Sequence, residues 1–196
     1  MIQIIVSSLF SVPLGALSSL FAWWILNYKI VPKIRFSDSI SKLEKDGSTI
    51  YRFKFENSGS RDIYDAEIVA KLRIKGIFKK LVNNWEVIYL PLDNDKIPII
   101  KSICKCKNRV REVPRIELEY LEKKYTHFFP KLIIDKINAE KLSLEDMFGL
   151  GIKSELQLIV SGYDAISGAK KVFISKAYTI GDIRNGYFNN NGLEIQ

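Results

Sequence analysis

The chain carries one histidine, His127, and two cysteines, Cys104 and Cys106, in 196 residues. Thiols separated by a single residue cannot staple a fold, so a disulfide scaffold is excluded and a reducing compartment fits. A zinc site takes four ligands, and this inventory would need carboxylates or a second subunit to complete one. Lys101, Lys105, Lys107, Arg109 and Arg111 surround the two cysteines, an environment that lowers a thiol pKa. Incidental thiols, a redox pair and a soft-metal pair all fit, and the first asks least. His127 has no neighbouring serine or cysteine, which reads as a structural or exposed histidine. Glycine-rich phosphate loops, nucleophile elbows and metal-binding helix motifs are absent. The sequence therefore offers no case for an enzyme, a cofactor or a resident metal.

A second absence is local. Residues 1–28 hold no Asp, Glu, Lys or Arg, and Ile4 to Leu26 is almost continuously apolar. About 20 such residues, rising about 1.5 Å each, cross a bilayer core. Trp23, Trp24 and Tyr28 then stand where an aromatic belt meets headgroups, followed by Lys29, Lys33 and Arg35. A cleaved signal is disfavoured: no basic region precedes the run, and the Trp pair fills the place of small cleavage-site residues. A buried core helix is the rival, and the length argues against it. The expected organisation is one transmembrane anchor helix over residues 1–29 and one further domain over 30–196. Positive charge C-terminal to the helix places the N-terminus outside the inner membrane and the domain in the cytoplasm.

Ser8, Ser11, Gly15, Ser18 and Ala22 alternate in steps of three and four, forming one small-residue seam. Such seams let helices approach closely in lipid. Tolerated serines, a self-association face and a serine-lined pore built by several copies are the three readings. Pro13 is placed to kink the helix.

The net charge of +8 falls entirely beyond residue 28. In a tethered cytoplasmic domain it favours an anionic leaflet or a phosphorylated ligand. Dispersed positives and strand-patterned aromatics argue against nucleic acid. The lysines at Lys75, Lys79 and Lys80 read first as a solvated face.

Strand patterns dominate this domain. Ile50 to Glu56 alternates, with Tyr51, Phe53 and Phe55 expected inward and Arg52, Lys54 and Glu56 toward water. Asn57 to Ser60 is a turn. Ala66 to Ile74 alternates again, with Ala66, Ile68, Ala70, Leu72 and Ile74 inward. Trp85 to Leu92, Ile97 to Cys104 (an edge, from Pro98), Arg115 to Glu122, Glu155 to Ser161 and Lys170 to Tyr178 follow. Ile116, Leu118 and Tyr120 are expected inward. The Asp93–Asp95 pair belongs to a turn, Ser143 to Asp146 opens a short helix, and Thr179 caps a turn with Asp182. Many short strands and little helix predict an all-β, antiparallel sandwich.

The C-terminal third resembles the cytoplasmic domain of inward-rectifier potassium channels, including bacterial ones. Leu156 to Ser161 is similar to a late strand of that family. Gly162 with Asp164 and Ser167-Gly168 resemble its turn, and Tyr178, Asp182, Ile183, Gly186 and Phe188 its closing segment. Phe129 to Ile137 resembles an apolar strand of the family, and Pro32 to Ser37 its basic stretch below the membrane. The resemblance implies an immunoglobulin-like β-sandwich, assembly as a tetramer, and contact of Lys33 and Arg35 with anionic lipid phosphates.

The chain departs from the family where conduction is concerned. Only one membrane helix is expected, and no selectivity filter is present, since Ser161-Gly162-Tyr163-Asp164 lies inside the sandwich. Asn185 replaces the family's tryptophan, and residues 79–126 are longer and more basic. The sequence is thus read as a non-enzymatic, membrane-anchored sensor or regulatory module that oligomerises. The rival is a minimal ion-conducting or membrane-disrupting effector built from the helices.

Overall fold

The alternation at Ala66, Ile68, Ala70, Leu72 and Ile74 produces the longest strand, β5 (Ile63–Lys75), with those five side chains buried. The computed structural model describes residues 2–26, 30–45, 48–77, 83–103, 111–121, 125, 129–139, 141–189 and 192–196, without the side chains of 2–10 and 12. The chain begins with α1 (Ile2–Trp24), then β1 (Ile34–Phe36), β2 (Ile40–Lys45), β3 (Ser48–Arg52) and β4 (Phe55–Asn57). After β5 come β6 (Trp85–Leu90), β7 (Lys96–Ile100), β8 (Arg115–Ile116), α2 (Lys131–Asn138) and α3 (Leu144–Phe148). The last strands are β9 (Lys153–Asp164), β10 (Lys170–Ile174) and β11 (Ile183–Asn185).

Strand is the prevailing secondary structure of the described chain, in sandwich-like sheets. In the larger sheet β9 lies along one side of β5, while β6 takes 70–75 and β7 takes 63–67 on the other; β10 closes the β9 edge. A second sheet runs β11-β2-β3-β8, and β1 pairs with β4 apart from both. Leu72, Leu158 and Val160 of the first sheet and Ile40 and Tyr51 of the second belong to one buried cluster. Phe53 and Tyr178 meet there with ring centroids 5.5 Å apart, and the Tyr178 hydroxyl donates to the Ser37 carbonyl at 2.6 Å. Burial pushes the Tyr178 phenol up to about 12, so it remains a donor at neutral pH.

Several expectations hold. Tyr51, Phe53 and Phe55 are buried, α3 starts in a Ser143–Asp146 capping box, and Thr179 and Asp182 close a 3-10 turn over Ile180–Asp182. Among the described residues β7 pairs with β5 alone, as Pro98 suggested.

Others need correction. Ile50 to Glu56 is two strands, not one: the chain leaves the β2–β3 ladder at Phe53 and re-pairs with β1 at Phe55. Lys54 and Glu56 are buried on what should be the wet side. The β1–β4 pair and the C-terminal hairpin, here residues 187–189 paired with 194–196, cover that side, and each charge finds a partner there. Strand pairing at Arg115 stops after Ile116, because Tyr120 N–H bonds back to the Glu117 carbonyl and closes a 3-10 turn. Tyr120 is consequently exposed rather than inward. Glu122 lies outside the described residues.

The apolar stretch at 132–137, which the family resemblance cast as a strand, is helical. Ile133 and Ile137 pack while Leu132 is exposed, a spacing of four rather than two. The closing strand β11 lies parallel to β2, not antiparallel. Residues 175–182 carry the chain from one sheet to the other, so β11 arrives running in the same direction as β2.

Among the described residues no helix is long and apolar enough to cross a membrane. The side chains described in α1 are Ser11 and 13–24, part of its 23-residue length.

Candidate functional site

The end of α1 is fastened to the sandwich by buried polar groups. Arg61 donates from one guanidinium nitrogen to the Leu26 carbonyl at 2.9 Å and from the other to Asp164 at 3.1 Å. Its side chain is 4% exposed and that of Asp164 1%, so removing either would strand a charge away from water. Burial pushes the Asp164 carboxyl up, but the Ile166 N–H and the Arg61 guanidinium outweigh it and hold the group below the usual range. A cation at the last carbonyls of a helix also opposes its dipole favourably.

The connector after α1 is docked as firmly. Asn57, fully buried, accepts from Lys33 N–H at 3.2 Å and from Gly59 N–H at 3.1 Å. Its amide donates to the carbonyls of Arg61 at 2.7 Å and Ile100 at 3.3 Å, which uses all its capacity. Ser60 N–H reaches the Val31 carbonyl and Ser58 N–H the Lys33 carbonyl. A Cβ on Gly59 would stand 2.3 Å from the Val31 oxygen, so only glycine admits this close passage. The connector is a laced seam, not a loose tether.

A cleft of about 940 Å³ opens beside this junction. Arg35 pairs across β1–β4 with Glu56, one residue from the Ile34–Asn57 pair at the seam, a step of about 3.4 Å. Glu56 is buried between Arg111 at 2.9 Å and Arg35 at 3.7 Å. Arg184, exposed, stands on the rim with Asp38 and Glu194. Lys54 lies beneath the C-terminal hairpin, where its ammonium donates to the Asn189 carbonyl at 2.6 Å and sits 5.7 Å from the Phe188 ring centroid. Burial, then the Arg111 charge, lower its pKa. The cleft thus offers the exposed guanidinium groups of Arg35 and Arg184 beside the exposed carboxylates of Asp38 and Glu194, over a floor whose charges are already compensated. Exposed guanidiniums suit a carboxylate or phosphate.

A third polar cluster is structural. Glu145 of α3 accepts from Lys42 at 2.7 Å and from the Tyr51 hydroxyl. Burial raises the Glu145 carboxyl, but these two hydrogen bonds prevail and lower it, while burial and Glu145 raise Tyr51. The cluster ties α3 to β2 and β3 and opens on no reacting group.

Of the residues singled out in sequence, Arg35 lines the cleft and Lys33 serves the seam through its backbone. Lys29 lies outside the described residues, as do Tyr28, Lys79, Lys80, Cys104, Cys106 and His127, and the side chain of Ser8. Ser11, Gly15, Ser18 and Ala22 are on exposed positions of α1. Ser18 and Ser19 return their hydroxyls to the Leu14 and Gly15 carbonyls at 2.8 and 2.9 Å. Arg111, placed in sequence beside the thiols, is committed to Glu56. Asp93 accepts from Arg115 N–H at 2.8 Å, the turn role expected of it. Asn57, Arg61 and the Glu56–Arg111 pair escaped sequence reasoning. The Asn57-Ser58-Gly59-Ser60-Arg61 run signals a turn but not a docking point.

No protein-family model matches the chain, and no curated protein matches it in sequence.

Proposed function

We propose that the chain is a membrane-anchored, non-enzymatic regulatory module. In this reading α1 crosses the inner membrane once, with the N-terminus outside. Residues 30–196 form a cytoplasmic sandwich of the immunoglobulin-like kind, akin to the inward-rectifier cytoplasmic domain. That sandwich takes an anionic ligand or partner at the Arg35–Arg184 cleft, self-associates, and passes its state to the helix through Arg61.

One observation carries the proposal. The side chains of 13–24 are all exposed, and Leu14, Leu17, Leu20, Phe21 and Trp23 each leave more than half their surface uncovered. An apolar helix standing clear of its own domain would cost roughly 10 kcal/mol in water, at about 2 kcal/mol for each large side chain. The whole helix has 23 residues and would reach about 34 Å, enough for a bilayer core. The laced connector supports coupling, because a ligand that favours one arrangement of the sandwich must then move the helix end.

The test is the oligomeric state of the solubilised full-length chain with its binding to anionic vesicles. A tetramer, and binding weakened by Lys33→Ala with Arg35→Ala, are expected. A monomer at working concentration removes self-association, and unchanged salt-insensitive binding removes the lipid contact. The pore reading predicts conductance in planar bilayers that Ser11→Leu abolishes. Against it, the Ser18 and Ser19 hydroxyls are satisfied within the helix and need no wet lumen.

A further inference from the structure

The outer face of the larger sheet changes character along its strands. On β9, Lys153, Glu155 and Gln157 occupy the outer positions at one end, and Ile159, Ser161 and Tyr163 at the other. On β5 the outer series runs from Lys75, Arg73 and Lys71 through Val69 and Glu67 to a register shift, beyond which Asp65 and Tyr64 are both exposed. The end without aromatics is remote from α1, and the end near α1 adds Tyr64 and Tyr163 to the charged Asp65, Glu67 and Lys170. The aromatic end is where Arg61 holds the helix.

At that end the register aligns a row across four strands. Ile99 of β7 faces Tyr64 of β5, Tyr64 faces Tyr163 of β9, and Tyr163 faces Lys170 of β10. Ile99, Tyr64 and Tyr163 are 40%, 41% and 45% exposed. Beyond the row, the β9–β10 turn carries Ile166 at its tip, 67% exposed. Three polar contacts fix this tip to the helix end: Ile166 N–H to Asp164 at 2.9 Å, Asp164 to Arg61, and Arg61 to the Leu26 carbonyl.

Exposed tyrosines and an aliphatic tip, flanked here by the Lys170–Glu67 ion pair at 3.8 Å, settle at headgroup level, where one end of a side chain is dry and the other wet. We infer that this end of the sheet rests on the bilayer. Ile166 and the Tyr64–Tyr163 row sit in the interfacial zone of the membrane that α1 crosses. The inference rests on the reading of α1 as a span, and it sets the sandwich at a fixed lean rather than free on a stalk. It also explains why an apolar side chain crowns a turn whose other contacts are polar.

The test uses the full chain with Cys104→Ser and Cys106→Ser, carrying one fluorophore-labelled cysteine at Leu17, Ile166 or Ile152. Ile152, 69% exposed at the opposite end of β9, matches Ile166 in exposure. The proteins are placed in phosphatidylcholine vesicles with and without brominated acyl chains. Emission at 17 should be strongly quenched, and at 166 it should fall by roughly half, as for a group about 5–10 Å into the interface. Emission at 152 should be unchanged. Quenching at 17 with equal responses at 166 and 152 overturns the membrane contact and leaves the span standing. No quenching at 17 overturns the span and the contact with it.

Discussion

Two buried arginine–carboxylate pairs lie within a few residues of each other, and they are built differently. Arg61 and Asp164 are sealed, and a second guanidinium nitrogen of Arg61 goes to the helix carbonyl of Leu26, while its buried Nε–H has no partner among the described residues. Glu56 and Arg111 form the floor of a cleft, with Arg35 half in water above them. A sealed pair fixes geometry, since breaking it leaves a charge with nowhere to go. A pair beneath an open cleft can exchange an outer partner for a ligand at little cost. The first pair suits an attachment and the second a receptor.

Breaking the sealed pair should have the largest effect. Arg61→Met leaves Asp164 buried and uncompensated and should cost about 3–5 kcal/mol, read as a lower urea midpoint for the full chain in detergent. Gly59→Ala forces a Cβ against the connector backbone and should cost about 1–3 kcal/mol. It should also raise hydrogen exchange at Lys33 and Ser60.

Acid sharpens the contrast. The folded Asp164 carboxyl lies below its unfolded value, so its contribution is fully present above about pH 4 and disappears as pH falls through the lower folded pKa. Asp164→Asn should be less stable at neutral pH and show a flatter acid profile below about pH 4 in thermal melts.

Capping is a smaller matter. Ser143→Ala removes the side chain that accepts Asp146 N–H and should cost about 1 kcal/mol. Smallest of all, Arg184→Ala should change stability by less than about 0.5 kcal/mol, as for an exposed side chain. It should nevertheless abolish any stabilisation by added inorganic phosphate that the parent chain gains. Equal phosphate stabilisation in both would remove Arg184 from the receptor role.

The sheet core was legible in sequence because period two is local: Ala66 to Ile74 and Tyr51 to Phe55 declare their inward faces without reference to partners. Cap residues at Ser143 and Thr179 were legible for the same reason. Burial of Lys54 and Glu56 was not, because it depends on β1, Arg111 and the C-terminal hairpin, which approach from far along the chain. The helix at Lys131–Asn138 was missed because short apolar runs suit both periods, and packing of Ile133 and Ile137 decided between them. Arg35 was reached by its position after the apolar stretch. Arg61 was not, since nothing local distinguishes a buried arginine from a solvated one.

The central claim is that α1 lies in the bilayer and holds the sandwich there. Alkaline extraction of membranes containing the full chain tests it directly, with Leu17→Glu and Leu20→Glu together as the altered form. The parent should stay in the pellet and the altered form should appear in the supernatant. Release of the parent chain would contradict the account.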